Sequence, residues 1–391
     1  MFNLRKSWFQ LLLVIVIFVV LLAHFFVPPY LDKQMNRVHP GEQVAVSDLT
    51  RATHNQLVIM DWHADTTLWS RDLLEESDYG HVDVPRLLKG NVAIQMFTTV
   101  TKVPKGLNYD ENEADAGDQI TQLAVIQGWP IQTWTSLFER AIYQAKRVEE
   151  AAKNSPYLYL IKNKADLNQL LTLRSQGQSV VGAIIGTEGA HPLEGSTLKI
   201  PKLYDAGFRM VSLQHFFDNR LGGSLHGQSG QGLTDFGRSV VKQLERHQII
   251  IDVSHSSHAV VRDVLEMTSR PVVVSHTGVH GYCPRKRNLP DDLMIDIAMK
   301  GGLIAIGHWH EAVCGNTVQD IAGAIKYAIE LVGVDHVALG SDFDGAVATP
   351  MDSSEMLLLT DALLKAGVSE SQIAKVMGGN SIRFLNEWLP N

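Results

Sequence analysis

Eight short apolar runs rich in β-branched residues alternate with amphipathic segments, and this alternation constrains the fold more than any other feature. The runs are LVIMD (57–61), NVAIQMF (91–97), VVGAIIG (180–186), FRMVSLQ (208–214), QIIIDVS (248–254), PVVVS (271–275), GLIAIG (302–307) and HVALGS (336–341). Segments with helical period lie between them, among them FGRSVVKQLERH and SHAVVRDVLEMTS. Apolar strands that alternate with helices predict a parallel sheet covered on both faces, and eight such units predict an α/β fold of the (β/α)₈ barrel (TIM-like) type. A doubly wound open sheet is the alternative, but it usually has fewer strands, and no Gly-x-Gly-x-x-Gly loop follows the first run.

Ionisable side chains follow almost every run, at the end of the strand where such a barrel builds its active site. In chain order they are His63 and Asp65, Glu188, His215, His255, His276, His308 and His310, and Asp342 and Asp344. A single histidine in such a position is usually a loop or core residue, whereas a whole set at one rim favours a shared site. His63 and Asp65 are two residues apart and therefore point to the same side of an extended segment, which suits a divalent metal such as zinc.

Composition limits the class of protein. The 391 residues are 45% apolar and 19% charged, which is typical of a globular protein with a sizeable core. The formal charge is −8 and no basic block follows the N-terminus, so nucleic acid is excluded as a partner. The two cysteines, Cys283 and Cys314, exclude a disulfide framework, and either one disulfide or two reduced, buried thiols fits the sequence.

The N-terminus carries a long apolar segment, in MFNLRKSWFQLLLVIVIFVVLLAHFFVPPY. We interpret residues 1–7 as a short cytoplasmic segment, 8–27 as an uncleaved transmembrane helix in the lipid bilayer, 28–56 as a polar tether and 57–391 as the barrel. Because Arg5 and Lys6 precede the apolar segment, the barrel is expected outside the cytoplasm, which is the periplasm if the source is bacterial.

Several motifs at the strand ends resemble those of a known family. They are DWHADTTLW, GTEGAHPLEG, LQHFFDN, IDVSHSS, PVVVSHTGVHGYCPRKRNLPDD and GSDFDG, spread over residues 55–385. In order and spacing they are similar to the motifs of the membrane dipeptidases, also called renal dipeptidases (peptidase family M19). These proteins are binuclear zinc hydrolases with a barrel of the metal-dependent hydrolase type.

The resemblance implies a ligand set for two zinc ions. His63 and Asp65 match the ligands of one ion, and His255 and His276 match those of the other. Glu188 matches a carboxylate that bridges both, and a hydroxide is expected as the second bridge and as the nucleophile. A water held between two zinc ions loses its proton near neutral pH, which agrees with this role.

The resemblance also implies three residues that bind substrate. His215 matches a residue that stabilises the oxyanion of the tetrahedral intermediate. Asp342 matches a residue near the substrate's amino end that carries a proton to the leaving amine. Arg287 matches a clamp on the terminal carboxylate, which a guanidinium can bind through two parallel hydrogen bonds.

The leading hypothesis is a zinc dipeptidase that acts on dipeptides with a free C-terminal carboxylate, including L-Xaa-D-Xaa. The alternatives are a metal-dependent amidohydrolase of N-acyl amino acids, lactams or lactones, and a binding protein that has lost catalysis. The family resemblance is compatible with a homodimer.

The loops FFDNRLGGSLHG and GHWHEAVCG depart from the family pattern, so side-chain preference is left open. We interpret His308 and His310 as loop histidines, Asp344 as an orienting residue and YDENEADAGDQ as a solvated helix or lid.

Overall fold

The computed structural model describes residues 2–39 and 45–391. Within these ranges the strands are β1 (Ile59–Ala64), β2 (Val92–Val100), β3 (Leu158–Leu160), β4 (Val181–Glu188), β5 (Phe208–Ser212), β6 (Ile250–Asp252), β7 (Val273–Thr277), β8 (Leu303–Ile306) and β9 (Val337–Leu339). The helices are α1 (Phe2–Met35), α2 (Asp48–Asn55), α3 (Val84–Lys89), α4 (Ile120–Ile126), α5 (Leu137–Asn154), α6 (Lys164–Ser175), α7 (Ile200–Asp205), α8 (Asp235–Arg246), α9 (His258–Met267), α10 (Asp291–Met299), α11 (His310–Val313), α12 (Val318–Val332), α13 (Met356–Lys365), α14 (Glu370–Ala374) and α15 (Asn380–Trp388).

Eight strands close into a parallel barrel. Their order around the ring is β1, β2, β4, β5, β6, β7, β8 and β9, and β9 pairs with β1. The longest pairing, between β2 and β4, runs from Ile94 opposite Gly182 to Val100 opposite Glu188. Each of the eight apolar runs overlaps one of these strands, so the predicted (β/α)₈ barrel is confirmed and the open sheet is excluded.

Strand β3 is an addition that the sequence analysis does not predict. It pairs with Val181–Ala183 at the start of β4, and β5 takes over the same edge of β4 from Ile185 onward. Three residues are too few to show the alternation that marks a strand in a sequence. β3 therefore extends the barrel wall without joining the closed ring.

The inside of the barrel is apolar at one end and polar at the other. Met96, Ile184, Met210 and Ala305 belong to one apolar cluster, which Phe384 of α15 closes. Residues two or four apart on a strand share a face, so later positions on these faces point into the same interior. Several of these positions are buried and polar, namely Thr98, Glu188, Ser212 and Asp252. The strand chemistry therefore places a buried polar layer at the carboxyl ends of the strands.

Capping side chains fix where several helices begin. The Thr234 hydroxyl accepts a hydrogen bond from the Gly237 amide at the start of α8, and the Ser257 hydroxyl accepts one from Val260 at the start of α9. Such caps bind amides that have no partner inside the helix and contribute about 1 kcal/mol each. Because Ser257 follows His255 by two residues, the cap of α9 also fixes the end of the loop that carries this histidine.

The N-terminal segment is helical over a longer range than predicted. Helix α1 runs from Phe2 to Met35 and includes Pro28 and Pro29, beyond the expected end of the anchor at residue 27. Over the ranges 2–39 and 45–391, no helix combines the length and the apolar character that a membrane crossing requires. The predicted transmembrane helix is therefore not confirmed.

Much of the predicted tether, residues 28–56, packs against the barrel. Residues 40–44 of it lie outside the described residues. In α2 the Thr50 hydroxyl donates to Asp361 at 3.1 Å, and the Thr53 hydroxyl donates to Glu370 at 2.8 Å. These contacts dock α2 onto α13 and α14, where we expected a polar linker.

Cys283 and Cys314 form a disulfide, one of the two alternatives that the sequence left open. Their Cα atoms lie 5.4 Å apart. The bridge joins the loop after β7 to the end of α11, which follows β8. It therefore links two neighbouring loops of the rim at which the strands end.

Candidate metal centre and active site

The predicted site residues meet at the carboxyl end of the barrel. His63 lies within β1, His276 within β7, and Glu188 is the last residue of β4. His255 and Asp342 lie in the loops that follow β6 and β9. Each of these residues is at least nine-tenths buried, as are Asp65, His215 and Arg287. The structure therefore brings together all eight residues that the sequence analysis singled out.

Glu188 lies at the centre of the cluster. Its Oε1 atom is 3.1 Å from His255 Nε2, 3.4 Å from His276 Nε2 and 3.6 Å from His63 Nε2. Its Oε2 atom is 3.0 Å from His215 Nε2. One carboxylate thus faces four imidazoles. Two of these, His63 on β1 and His255 after β6, come from opposite sides of the ring of strands. This position suits a carboxylate shared by two cations.

Two further carboxylates approach His63. Its Nε2 atom lies 3.5 Å from Asp65 Oδ1 and 3.9 Å from Asp342 Oδ1. Possible ligand atoms lie within 4.8 Å of one another in three sets: His63, Glu188 and His276; Glu188, His215 and His255; and His63, Asp65 and Asp342. Because the sets share Glu188 and His63, they form one continuous cluster, and the assignment of each ligand to one ion stays a prediction.

The cluster fits a metal better than it fits hydrogen bonding alone. His63 Nε2 is buried and has no hydrogen-bond partner anywhere in the part of the chain that the structure describes. The Nε2 atoms of His255 and His276 lie 2.9 Å apart. Two lone pairs that face each other at this distance repel, and a metal ion bound to both nitrogens would remove that repulsion. Imidazole nitrogens and carboxylate oxygens together bind zinc and other divalent transition metals. The residues present therefore fit a divalent metal centre.

Electrostatics favour the metal-binding charge states of Glu188, His255 and His276. Burial opposes ionisation of Glu188, yet the charges of His215 and His63 hold the pKa of this carboxyl well below its usual range. Burial lowers the pKa of His255 and of His276 well below the usual value. A deprotonated carboxylate and neutral imidazoles are the forms that bind metals.

Around His63, the neighbouring carboxylates raise pKa values instead of lowering them. Burial works against protonation of His63, but the negative charges of Asp65 and Glu188 raise the pKa of His63 to about 10. Burial raises the pKa of Asp342 well above its usual range, and the charges of Glu188 and Asp65 add to the effect. The cluster thus concentrates negative charge that a proton or a bound cation would offset.

Two site residues have unusual backbone conformations. His255 and Asp342 each have a φ of 61°, in the left-handed region that few non-glycine residues adopt. The carbonyl oxygen of His255 accepts hydrogen bonds from the Leu225 amide at 2.7 Å and from the Ser224 hydroxyl at 3.2 Å. Surrounding contacts of this kind hold such a conformation, which is frequent at functional sites.

A supporting set of polar side chains, which the sequence analysis missed, orients the histidines. The Ser275 hydroxyl lies 3.1 Å from His63 Nδ1 and 3.0 Å from His276 Nδ1, and it donates to Asp252 at 2.7 Å. With its only proton on Asp252, Ser275 can accept from both Nδ1–H groups, which leaves both Nε2 atoms free for metal. An aspartate inside the apolar run QIIIDVS was the sequence signal for this arrangement.

Asp61, the first ionisable residue of the DWHAD motif, is also structural. Its carboxylate accepts hydrogen bonds from the Ser341 amide and hydroxyl, both at 2.7 Å, and from Gln95 at 2.7 Å. It therefore ties β1 and β2 to Ser341, which lies in the loop after β9 and directly precedes Asp342.

Arg287 lies in the same cavity as the cluster. It is 2% exposed, donates to the His276 carbonyl oxygen at 2.9 Å, and its guanidinium lies 5.4 Å from the centre of the Trp309 ring. The cavity has a volume of about 440 Å³. Its polar lining includes Asp65, Tyr109, Gln119, Glu188, His215, His255, Arg287 and Asp342, and its apolar lining includes Met35, Leu68, Val100, Val103, Leu107 and Phe216.

The remaining candidates lie apart from the cluster. His308 is fully buried, and burial lowers its pKa to about 3. Asp344 pairs with Arg71 at 2.7 Å and lies in none of the three ligand sets found among the described residues. The segment predicted as a helix or lid, residues 109–119, forms a loop whose Tyr109 reaches the cavity.

The sequence matches a family of dipeptidases, which agrees with the metal centre described above. The family model of the membrane dipeptidases (peptidase family M19) matches residues 48–388. Dipeptidase aclJ of Aspergillus oryzae is 28% identical over 381 residues, which cover 92% of this chain and 83% of that protein.

Solved structures share the fold. The probable dipeptidase PvdM from Pseudomonas aeruginosa superposes with a TM-score of 0.71 at 18% identity, covering 87% of this chain and 98% of that one. A metallo peptidase from Rhodobacter sphaeroides, liganded with a phosphinate mimic of the dipeptide L-Ala-D-Ala, superposes with a TM-score of 0.66 at 21% identity. The superposition covers 85% of this chain and 99% of that one. The family match includes the whole barrel and every residue of the cluster, and the chain therefore belongs to the membrane dipeptidase family and is a metal-dependent dipeptidase.

Proposed function

We propose that this enzyme is a zinc dipeptidase that hydrolyses dipeptides with a free C-terminal carboxylate, including those with a D-residue in the second position. One observation carries the proposal. Arg287 is a buried cation in the cavity of the metal cluster, and it forms no ion pair with any Asp or Glu of the described residues. A buried charge without a partner is costly, so we infer that the substrate's carboxylate is that partner.

Two zinc ions are the cofactors we propose. His63 and Asp65 would hold one ion, His255 and His276 the other, and Glu188 would bridge them. This division rests on the motifs, and the central position of Glu188 among the imidazoles supports it. When bound, the two ions would supply an activated water as nucleophile and would polarise the scissile carbonyl.

The chain's own residues would complete the reaction. Arg287 binds the terminal carboxylate through two parallel hydrogen bonds and fixes the distance from that end to the peptide bond. His215, whose Nε2 atom lies 3.0 Å from Glu188, stabilises the negative charge that develops on the carbonyl oxygen. Asp342, with its raised pKa, carries a proton to the leaving amine.

The clamp also explains the expected limits on substrate. A longer peptide has no carboxylate at the position of Arg287, so tripeptides should react poorly. The cavity of about 440 Å³ falls at the small end of the range for small-molecule sites. The proposed acceptance of a D-residue draws support from the phosphinate mimic of L-Ala-D-Ala bound to the Rhodobacter sphaeroides protein.

We further propose that the barrel works outside the cytoplasm, on the far side of a membrane anchor at residues 8–27. Arg5 and Lys6 before the apolar segment support this orientation. The Cys283–Cys314 disulfide supports an oxidising compartment, because cytosolic thiols are kept reduced. Protease accessibility of the barrel in intact cells and in spheroplasts tests the orientation.

The decisive experiment measures metal content and hydrolysis on the full-length protein. The panel contains L-Xaa-L-Xaa and L-Xaa-D-Xaa dipeptides, a tripeptide, N-acetyl amino acids and a β-lactam, compared by kcat/KM. We expect about two zinc ions per chain, and the highest kcat/KM on dipeptides. Higher values on the N-acetyl amino acids or the β-lactam would instead identify an amidohydrolase.

The variant Glu188→Gln should lose dipeptide turnover and bind less zinc, because it removes the charge shared by the ligands. Glu330→Gln, at an exposed position of α12, is the matched control and should behave like the wild type. Full activity of Glu188→Gln, or ligand binding by a wild-type protein that holds no metal, would refute the proposal.

A further inference from the structure

The end of helix α1 is built into the rim of the active site. Asp32 lies in the last turn of α1, Asn36 directly follows the helix, and each is 1% exposed. Tyr30 and Lys33, on the same stretch, are exposed. These residues precede the region matched by the family model, which begins at residue 48. The contacts of α1 with the rim therefore come from a part of the chain that the family pattern does not describe.

Asp32 begins a buried chain of charges that ends in the catalytic loop. Its Oδ2 atom lies 2.7 Å from Arg71 Nε, and Arg71 Nη2 lies 2.7 Å from Asp344 Oδ1. The Asp344 carboxylate also accepts hydrogen bonds from the His81 amide at 2.7 Å and the Thr66 hydroxyl at 2.8 Å. Since Asp344 is two residues from Asp342, Arg71 connects α1 to the loop that holds the proposed proton carrier.

Asn36 makes a second and more direct connection. Its Nδ2 donates to Asp32 at 2.8 Å, and its Oδ1 accepts from the Ala346 amide at 2.9 Å. Asp342, Asp344 and Ala346 each have a φ of 61°, so this loop contains three non-glycine residues in the left-handed region. A loop of this kind needs outside contacts to keep its shape, and Asn36 supplies one.

The backbone after α1 continues along the same loop. The Thr349 amide donates to the Arg37 carbonyl oxygen at 3.0 Å, and the His39 amide donates to the Thr349 carbonyl oxygen at 2.8 Å. Residues 32–39 thus run along residues 344–349 through side-chain and backbone hydrogen bonds. The segment is part of the barrel's rim.

Met35 extends this contact into the cavity itself. It lines the cavity together with Asp342, Gly345 and Ala346, and it is 43% exposed. A flexible thioether at this position adapts to apolar groups of different shape. Because we place Asp342 at the substrate's amino end, Met35 lies on the side of the first residue of a dipeptide.

We propose that Met35 and Asn36 belong to the catalytic unit: Met35 forms the wall that selects the side chain of the substrate's first residue, and Asn36 is a positioning residue for the Asp342–Ala346 loop. The part concerning Met35 rests on the proposed function, because it requires a dipeptide in the cavity. The part concerning Asn36 rests on contacts within the chain alone.

The test of Met35 compares full-length Met35→Ala and Met35→Trp with the matched control Lys33→Ala, an exposed neighbour on the same helix. The substrates are dipeptides with Gly, Ala, Leu or Phe first and one fixed second residue. We expect Met35→Ala to raise kcat/KM for Phe relative to Gly, and Met35→Trp to lower it, each on the order of 10-fold. Lys33→Ala should leave the ratio unchanged. An identical Phe-to-Gly ratio in all four proteins would overturn the role of Met35.

The test of Asn36 uses Asn36→Ala in the full-length protein and reads hydrogen exchange of the amides in residues 344–349. We expect faster exchange of these amides than in the wild type or Lys33→Ala, with unchanged exchange in the strands. The same variant should lower kcat more than it changes KM, with unchanged zinc content. Unchanged exchange at residues 344–349 would overturn the positioning role. Because exchange needs no substrate, this result is independent of whether the wild type hydrolyses dipeptides.

Discussion

Replacing Ser275 by alanine should weaken metal binding without changing any proposed ligand. The hydroxyl is the hydrogen-bond partner of His63 Nδ1 at 3.1 Å and of His276 Nδ1 at 3.0 Å. Its loss frees both rings to rotate and to place their proton on Nε2, the atom that faces Glu188. Ser275 therefore controls one ligand on each side of the cluster.

The expected size of the effect follows from these two contacts. A buried hydrogen bond contributes about 1 kcal/mol net, so two lost bonds cost about 2 kcal/mol. That energy corresponds to roughly a 30-fold weaker affinity, inside the range of about 10- to 100-fold known for groups that orient metal ligands.

The assay is competition for zinc between the enzyme and a chromophoric chelator at fixed pH. Ser212→Ala is the matched control, because the Ser212 hydroxyl donates to the same Asp252 carboxylate but forms no hydrogen bond with a histidine among the described residues. Nitrogen chemical shifts of the histidines should show mixed tautomers in Ser275→Ala only. An affinity within twofold of the wild type, or an equal loss in Ser212→Ala, would refute the reasoning.

Three other predictions follow from the site. Arg287→Lys should raise KM for dipeptides about 10-fold because the bidentate contact is lost. It should leave the hydrolysis of dipeptide amides unchanged, because an amide offers no carboxylate to the guanidinium. Steady-state kinetics with both substrates tests this, and an equal effect on both would contradict the clamp. Zinc affinity should increase with pH, since His63, whose pKa is raised to about 10, must lose its proton to bind metal; calorimetry in buffers of different ionisation enthalpy should detect the released proton. Breaking the Cys283–Cys314 bridge by Cys314→Ser should lower the free energy of unfolding by about 3 to 4 kcal/mol, as expected for a loop with a sequence separation of 31; chemical denaturation of oxidised and reduced wild type provides the comparison.

The sequence predicted the barrel and the meeting of the proposed metal ligands because both follow from local pattern. Each apolar run marks a strand, and parallel closure brings the carboxyl ends of all strands to one rim. His63, Glu188 and His276 therefore converge whatever the loops do. The family motifs then supplied the roles that periodicity alone does not give.

The supporting contacts could not be predicted in the same way. Asp32 and Asp344 are 312 positions apart, and no periodicity links them, so their connection through Arg71 appears only in three dimensions. A serine such as Ser275 carries no sequence signal for the two rings that it contacts. Strand β3 was missed because three residues are too short for a pattern, and the docking of α2 because its polar composition is typical of a linker.

The apolar plug at the far end of the barrel has a consequence for turnover. Phe384 and Leu385 of α15 pack with the interior side chains of the strands, so the cavity has its opening on the side of the loops. Substrate therefore enters, and both amino acids leave, on the side of the loops in each catalytic cycle. Amino acids that remain in the cavity would block the binding of the next dipeptide. Product release, rather than cleavage of the peptide bond, would then limit kcat.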